Sequence, residues 1–99
     1  MYDSNHLRIL NDVRQAEFIV RKFNEYRETL TDGFTMYGTG VLHSGDGYIV
    51  GTTPEPFDTV WDAAKALASR MDISGNRFAI GFWRDPEDGK EYIDVVLIT

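Results

Sequence analysis

From Ser4 to Leu30 the chain contains no glycine or proline, and its apolar residues recur at helical spacing. Ile9, Val13, Ala16, Val20 and Phe23 follow i, i+4, i+7, i+11, i+14 and share one face; Ile19, Tyr26 and Leu30 widen it. The pattern predicts a long helix over 4–30, capped by Asp3 or Ser4 and closed at Asp32-Gly33. Two apolar residues break the stripe. At about 100° per residue Leu7 and Phe18 fall nearly opposite it, among Arg14, Arg21 and Glu25. A stray exposed apolar residue on a long helix is the plain reading; a partner-facing or self-associating patch is the functional one.

After Gly33 the period shortens. Phe34–Tyr37 and Gly47–Thr52 read as two short strands joined by a glycine-rich connection. A second helix is expected to open in "TTPEPF", with Thr53 as its cap and proline in its first turn, where the missing N–H is harmless. Phe57, Val60, Trp61, Ala64, Leu67, Ala68 and Met71 form its apolar face; Asp58, Asp62 and Lys65 lie outside it. The C-terminus reads as a hairpin with strands 78–84 and 90–98 around Asp85-Pro86-Glu87-Asp88-Gly89, where Gly89 suits a left-handed position. Phe78, Ile80 and Phe82 are expected on one face, with Ala79, Trp83 and, across, Ile93 or Val95 on the other. Strands apolar on both faces are central or meet a partner. Asp94, amid Tyr92, Val95 and Val96, must be paired or reach water. The order is α-β-β-α-β-β: a single α+β domain over 1–99, with two helices on a mostly antiparallel sheet.

The totals leave this picture standing and narrow the function. A chain of 99 residues with 42% hydrophobic and 26% charged residues is an ordinary one-domain globular composition. With no cysteine there is no disulfide framework, thiolate zinc site or cysteine nucleophile. The start, "MYDSNHLRIL", has no basic segment leading into a long apolar run, and no stretch approaches the roughly 18 apolar residues of a membrane span. The expected location is the cytoplasm. A net charge of −6 disfavours a direct grip on nucleic acid, which needs clustered Lys and Arg. Acidity fits solubility, a basic partner or a DNA-mimicking surface.

The most site-like stretch is "YGTGVLHSGDGYIVG" (37–51). Gly40 and Gly45 bracket four residues as in a phosphate-binding loop. However, Asp46 occupies the lysine position and a strand, not a helix, follows, so no helix N-terminus faces an anion. His6 and His43 have no metal-ligand spacing, and Asp85, Glu87 and Asp88 lack the calcium-loop pattern. His43, Ser44 and Asp46 are neighbours in one loop, whereas catalytic groups normally converge from separate elements. No catalytic, cofactor-binding or metal-binding residue is therefore assigned. An enzyme using His43 and Asp46 ranks below a binding protein.

"DGFT" (32–35), "TG" (39–40), "GYIV" (47–50) and "GFWRDPEDGKEYIDV" (81–95) together resemble a group of small, uncharacterised proteins from bacteriophages and actinobacteria. In that group a GFT segment precedes a TG turn, a GYxV strand, a helix and a GxWxDPxxGKxYxDV hairpin. The chain departs from the pattern at Val41, Leu42 and His43, where relatives carry a proline. Relatives also have a further helix after the D-V strand, and the N-terminal helix of this chain is expected to take its place. The resemblance implies a phage or mobile-element setting, which makes the expected cytoplasm that of a bacterial host, and brings no catalytic residue. The expected function is non-enzymatic: binding and modulating a host or defence protein, with Leu7, Phe18, Glu25 and Trp83 as partner-binding residues and a homodimer as a further use of that surface. DNA mimicry is the alternative.

Overall fold

The computed structural model describes residues 4–44, 49–52, 55–71 and 77–98, with side chains described for these apart from residues 4–11, 49, 50 and 71. The first element, α1 (Ser4–Thr29), stops where the chain reaches Asp32-Gly33. Its last turn is closed by Leu30 N–H donating to the Tyr26 carbonyl at 2.7 Å and Gly33 N–H to the Leu30 carbonyl at 3.3 Å. The buried stripe is Ala16, Ile19 and Phe23, flanked by the half-buried Val20 and Tyr26. It is turned from the expected stripe: Ile19 is fully buried, while Val13 and Leu30 are exposed. Ile9 and Leu7 lie outside the described side chains.

Four strands, β1 (Gly33–Tyr37), β2 (Ile49–Gly51), β3 (Arg77–Arg84) and β4 (Glu91–Ile98), form one antiparallel sheet in the order β1-β3-β4-β2. The C-terminal hairpin is the centre of the sheet, as its two apolar faces suggested. Asp85 N–H donates to the Lys90 carbonyl at 2.9 Å and Gly89 N–H to the Asp85 carbonyl at 2.8 Å; Gly89 has φ +73°. The first two strands do not pair with each other. β1 lies beside β3 and the three-residue β2 beside β4, so they form opposite edges of the sheet.

Register decides the faces. Phe34 opposes Phe82, Met36 opposes Ile80, and Phe82 and Ile80 oppose Ile93 and Val95. Ile93 and Val95 therefore share the face of Ile80 and Phe82, correcting their expected place beside Trp83. That face carries the core, completed by α1 and by Ala63, Ala64, Leu67 and Ala68 of α2 (Val60–Met71). Its aromatic centre is Phe23, with ring centroids 5.0 Å from Phe34 and 5.5 Å from Phe82. The three alanines let α2 approach closely, because small side chains allow short interaxial distances.

The second helix starts later than expected. Thr59, not Thr53, caps it: the Asp62 N–H donates to Thr59 Oγ1 at 3.1 Å. Phe57 is drawn away from helical geometry into a bridge with Ile93, its N–H donating to the Ile93 carbonyl at 2.8 Å. Thr53 and Pro54 lie outside the described residues. Trp61 leaves the expected apolar face and is exposed, with Lys65 Nζ 5.9 Å from its ring.

The β1 edge, and the part of β4 that extends beyond the short β2, are partly covered by the chain itself. Val41–His43 lies along β1, through Tyr37 N–H to the Val41 carbonyl at 2.9 Å and His43 N–H to the Thr35 carbonyl at 2.8 Å. On β4, Thr52 N–H reaches the Val95 carbonyl at 3.2 Å, beyond which Phe57 takes Ile93. Such cover limits strand-to-strand association with other chains.

Candidate interaction surface

The glycine-rich turn is a docking point for α1. Tyr26 Oη donates to the Gly40 carbonyl at 2.8 Å. A Cβ on Gly40 would stand 3.3 Å from the Phe18 ring and from Lys22 Cγ, and the residue has φ +88°. Phe18, Lys22 and Tyr26, one helical turn apart, thus hold a bare backbone. Any side chain at position 40 meets both a left-handed conformation and a packed ring. Gly40 is buried.

This packing also locates Phe18, which the helical wheel put opposite the core. It is half-buried on the flank of α1 against the turn, with the Arg21 guanidinium 5.5 Å from its ring. His43 is accounted for in the same region. Its Nδ1 lies 2.8 Å from Tyr37 Oη and its ring stands edge-on to the tyrosine. Ser44 is exposed, and Asp46 lies outside the described residues. Among the described residues no group of three His, Cys, Asp or Glu side chains is placed to hold a metal. No described helix is long and apolar enough to cross a membrane.

Of the other expected partner-binding residues, Glu25 is exposed on α1 and paired with Lys22 at 3.3 Å. Asp62 and Lys65 make a similar pair at 3.7 Å on α2, so both helices present mixed charge. Leu7 falls outside the described side chains. Trp83 stands apart from all of these, on the sheet face turned away from the helices, and is 53% exposed.

The surroundings of Trp83 explain that exposure. Its neighbour on β1 is Gly33 and its neighbour two residues back on β3 is Gly81, so the indole has bare backbone on two sides. On the third side Tyr92 stacks against it at 5.3 Å and 26°. Lys90 Nζ lies 5.5 Å from the Tyr92 ring. Together Trp83 and Tyr92 form an aromatic ledge near the hairpin tip. Toward the other end of this face Ala79, Val96 and Ile98 are buried in a small cluster with Tyr37. Asp94 lies between the two zones; its Oδ1 accepts the Val95 N–H at 2.8 Å, and Gly51 leaves room beside its Oδ2. Beyond Tyr92, an open cavity of about 400 Å³ lies between Glu55–Asp58 and Lys90–Tyr92.

An ion network beneath the ledge fixes the hairpin to α1. Glu91 accepts from Arg84 at 2.6 Å and also from Arg27, and both guanidinium groups lie over the Phe82 ring. Burial opposes the Glu91 carboxylate, but the hydrogen bond from Arg84 and the charge and hydrogen bond of Arg27 outweigh it, holding its pKa below the ordinary 4.5. Because the folded pKa is depressed, this contribution is fully present above the unfolded value and disappears as pH falls through the folded one. Glu91→Gln is expected to cost about 1–2 kcal/mol at pH 7. The difference from the native chain should vanish in strong acid; urea melts across pH 2–7 measure it, and a pH-independent difference would refute the ionic origin. The positions of Arg84 and Glu91, equally spaced about the turn, carried the signal for half of this network. The arrival of Arg27 depends on how α1 crosses the sheet and has no local signal.

Comparisons with family models, with curated proteins and with solved structures found no match to this chain.

Proposed function

We propose that this chain is a non-enzymatic interaction domain that engages its partner through the Trp83–Tyr92 ledge. The observation that carries the reading is a large aromatic residue, 53% exposed, stacked on a second ring over a glycine-flanked part of the sheet face that neither described helix covers. Rigid aromatic side chains with few rotors are common anchors of interfaces. The stacking already fixes the indole, so little side-chain freedom remains to be lost on binding. Of the four residues named from the sequence, Trp83 is the anchor; Phe18 contributes by holding the glycine turn. The phage-type setting implied by the sequence resemblance makes a host or defence protein the class of target. A DNA mimic would present acids in rows with phosphate-like separations, and the mixed ion pairs on α1 and α2 favour the interaction reading over it.

Trp83→Asp tests the proposal. The substitution changes an exposed side chain, so urea stability should move by about 1 kcal/mol or less. Affinity for the partner should fall about thirtyfold, as for a hot-spot residue. Paired capture from host lysate with native and Trp83→Asp baits, followed by titration of the captured protein, provides the measurement. Identical proteins retained with equal affinity by both baits would remove the ledge as the site.

A further inference from the structure

Building on that reading, we infer that the partner presents a basic polypeptide segment, and that carboxylates around the aromatic ledge select it. The ledge is bordered by acids on three sides. Asp32 adjoins Gly33, the β1 neighbour of Trp83, and its carbonyl accepts the Arg84 N–H at 3.1 Å. The hairpin turn supplies Asp85, Glu87 and Asp88. Glu55 and Asp58 face Tyr92 across the cavity. All six are exposed except Asp85, which is half-buried.

Of the three bases near the ledge, two are directed at Glu91 rather than at the rim. Arg27 and Arg84 turn inward onto Glu91 and the Phe82 ring. Lys90 remains, and it lies over Tyr92. On the helices Lys22 pairs with Glu25 and Lys65 with Asp62. Among the described residues, acids thus outnumber bases at the end that bears Trp83, the more exposed of the two tryptophans.

This arrangement separates the occupants a bare aromatic face would admit. A second copy seated ledge to ledge about a two-fold axis would bring one acidic rim against the same rim, and like charges facing across an interface oppose association. An acidic or neutral segment gains nothing from the rim. A segment with Arg or Lys beside an apolar residue satisfies both parts: its apolar group covers the indole in the glycine-floored space, and its cations meet the surrounding carboxylates. The seat of Lys90 over Tyr92 shows the ring accepting a cation from within the chain.

The test uses the full chain with Trp61→Phe, which leaves Trp83 as the sole tryptophan reporter of the two in the sequence. A short peptide of alternating arginine and leucine is titrated against it, with a glutamate–leucine peptide of equal length as control. The arginine peptide should shift the Trp83 emission to the blue, and the control should leave it unchanged. Half-saturation should rise about tenfold between low and moderate salt, and about tenfold again in the Asp58→Lys, Glu87→Lys variant, whose fold is checked by circular dichroism. A Trp83→Ala chain, followed by peptide anisotropy, should bind about tenfold more weakly although its charge is unchanged.

Equal response to both peptides, a motionless Trp83 emission, or indifference to the two lysine substitutions overturns the inference. So does a dimer in sedimentation that Trp83→Ala dissolves, which would make the occupant a second copy. The two proposals fail separately. Lysate capture that does not depend on Trp83 removes the ledge itself; capture that depends on Trp83 but ignores Asp58→Lys, Glu87→Lys leaves the ledge standing and removes the basic partner.

Discussion

Phe23→Ala is expected to be the most damaging single side-chain truncation in the described core, at about 3–5 kcal/mol. Phe23 is wholly buried, and its ring lies within 5.5 Å of the Phe34 and Phe82 rings, centroid to centroid. It is also the point where α1 meets the sheet at β1 and β3. The void left behind cannot be filled from α2, whose facing residues are largely alanine with no side chain to extend. For a domain of this size each kcal/mol lowers the melting temperature by about 4–8 °C, so a drop of roughly 12–40 °C should appear in a thermal melt. A loss below about 1 kcal/mol would mean that α1 is not seated on the sheet through this residue.

Gly33→Ala should come second, at about 2–4 kcal/mol, and the reason is backbone rather than core. Gly33 has φ +149°, and an added Cβ would lie 2.7 Å from the Phe82 carbonyl oxygen. That atom belongs to the central hairpin, so relief requires β1 to move away from β3. Gly89→Ala is the control. Its φ of +73° is also left-handed, but nothing lies within 4 Å of the new methyl group. It should cost only about 1–2 kcal/mol. Chemical denaturation of the two variants side by side separates conformational strain from collision, and equal losses would show that the contact with Phe82 contributes nothing.

The contrast between these glycines illustrates what could be read from the sequence. Gly89 was recognisable because the five residues Asp85–Gly89 specify their turn locally, and the hairpin register follows from that turn. The two-helix α+β class was legible for the same reason, since helical and strand periods are local signals. Gly33 was recognised only as a helix terminator. Its approach to Phe82 depends on β1 lying beside β3, a pairing between residues about fifty positions apart. The separation of β1 and β2 to opposite edges was hidden likewise: adjacent strands in sequence invite pairing, and nothing between Gly38 and Ser44 announces otherwise.

The candidate site divides along the same line. Trp83 was visible as a large residue on the second face of an apolar strand. Its stacking partner Tyr92 and its bare neighbours Gly33 and Gly81 became evident only with the register. Phe18 shows the converse error of a helical wheel, which counts directions around a cylinder but cannot know that a loop will fold over its flank. The glycine stretch that suggested a phosphate cradle instead supplies a backbone thin enough for Phe18, Lys22 and Tyr26 to clasp.

The sheet order also sets a timetable for the nascent chain. β1 and β2 are made before β3 and β4, the strands they pair with. While the ribosome is still adding residues before Arg77, the chain has no sheet to join, and contacts between α1 and α2 are the only extensive packing open to it. Phe34 and Met36 must wait beside a helix until those strands are made. Closure then comes late and at once, when a tight hairpin forms between two strands already waiting to flank it.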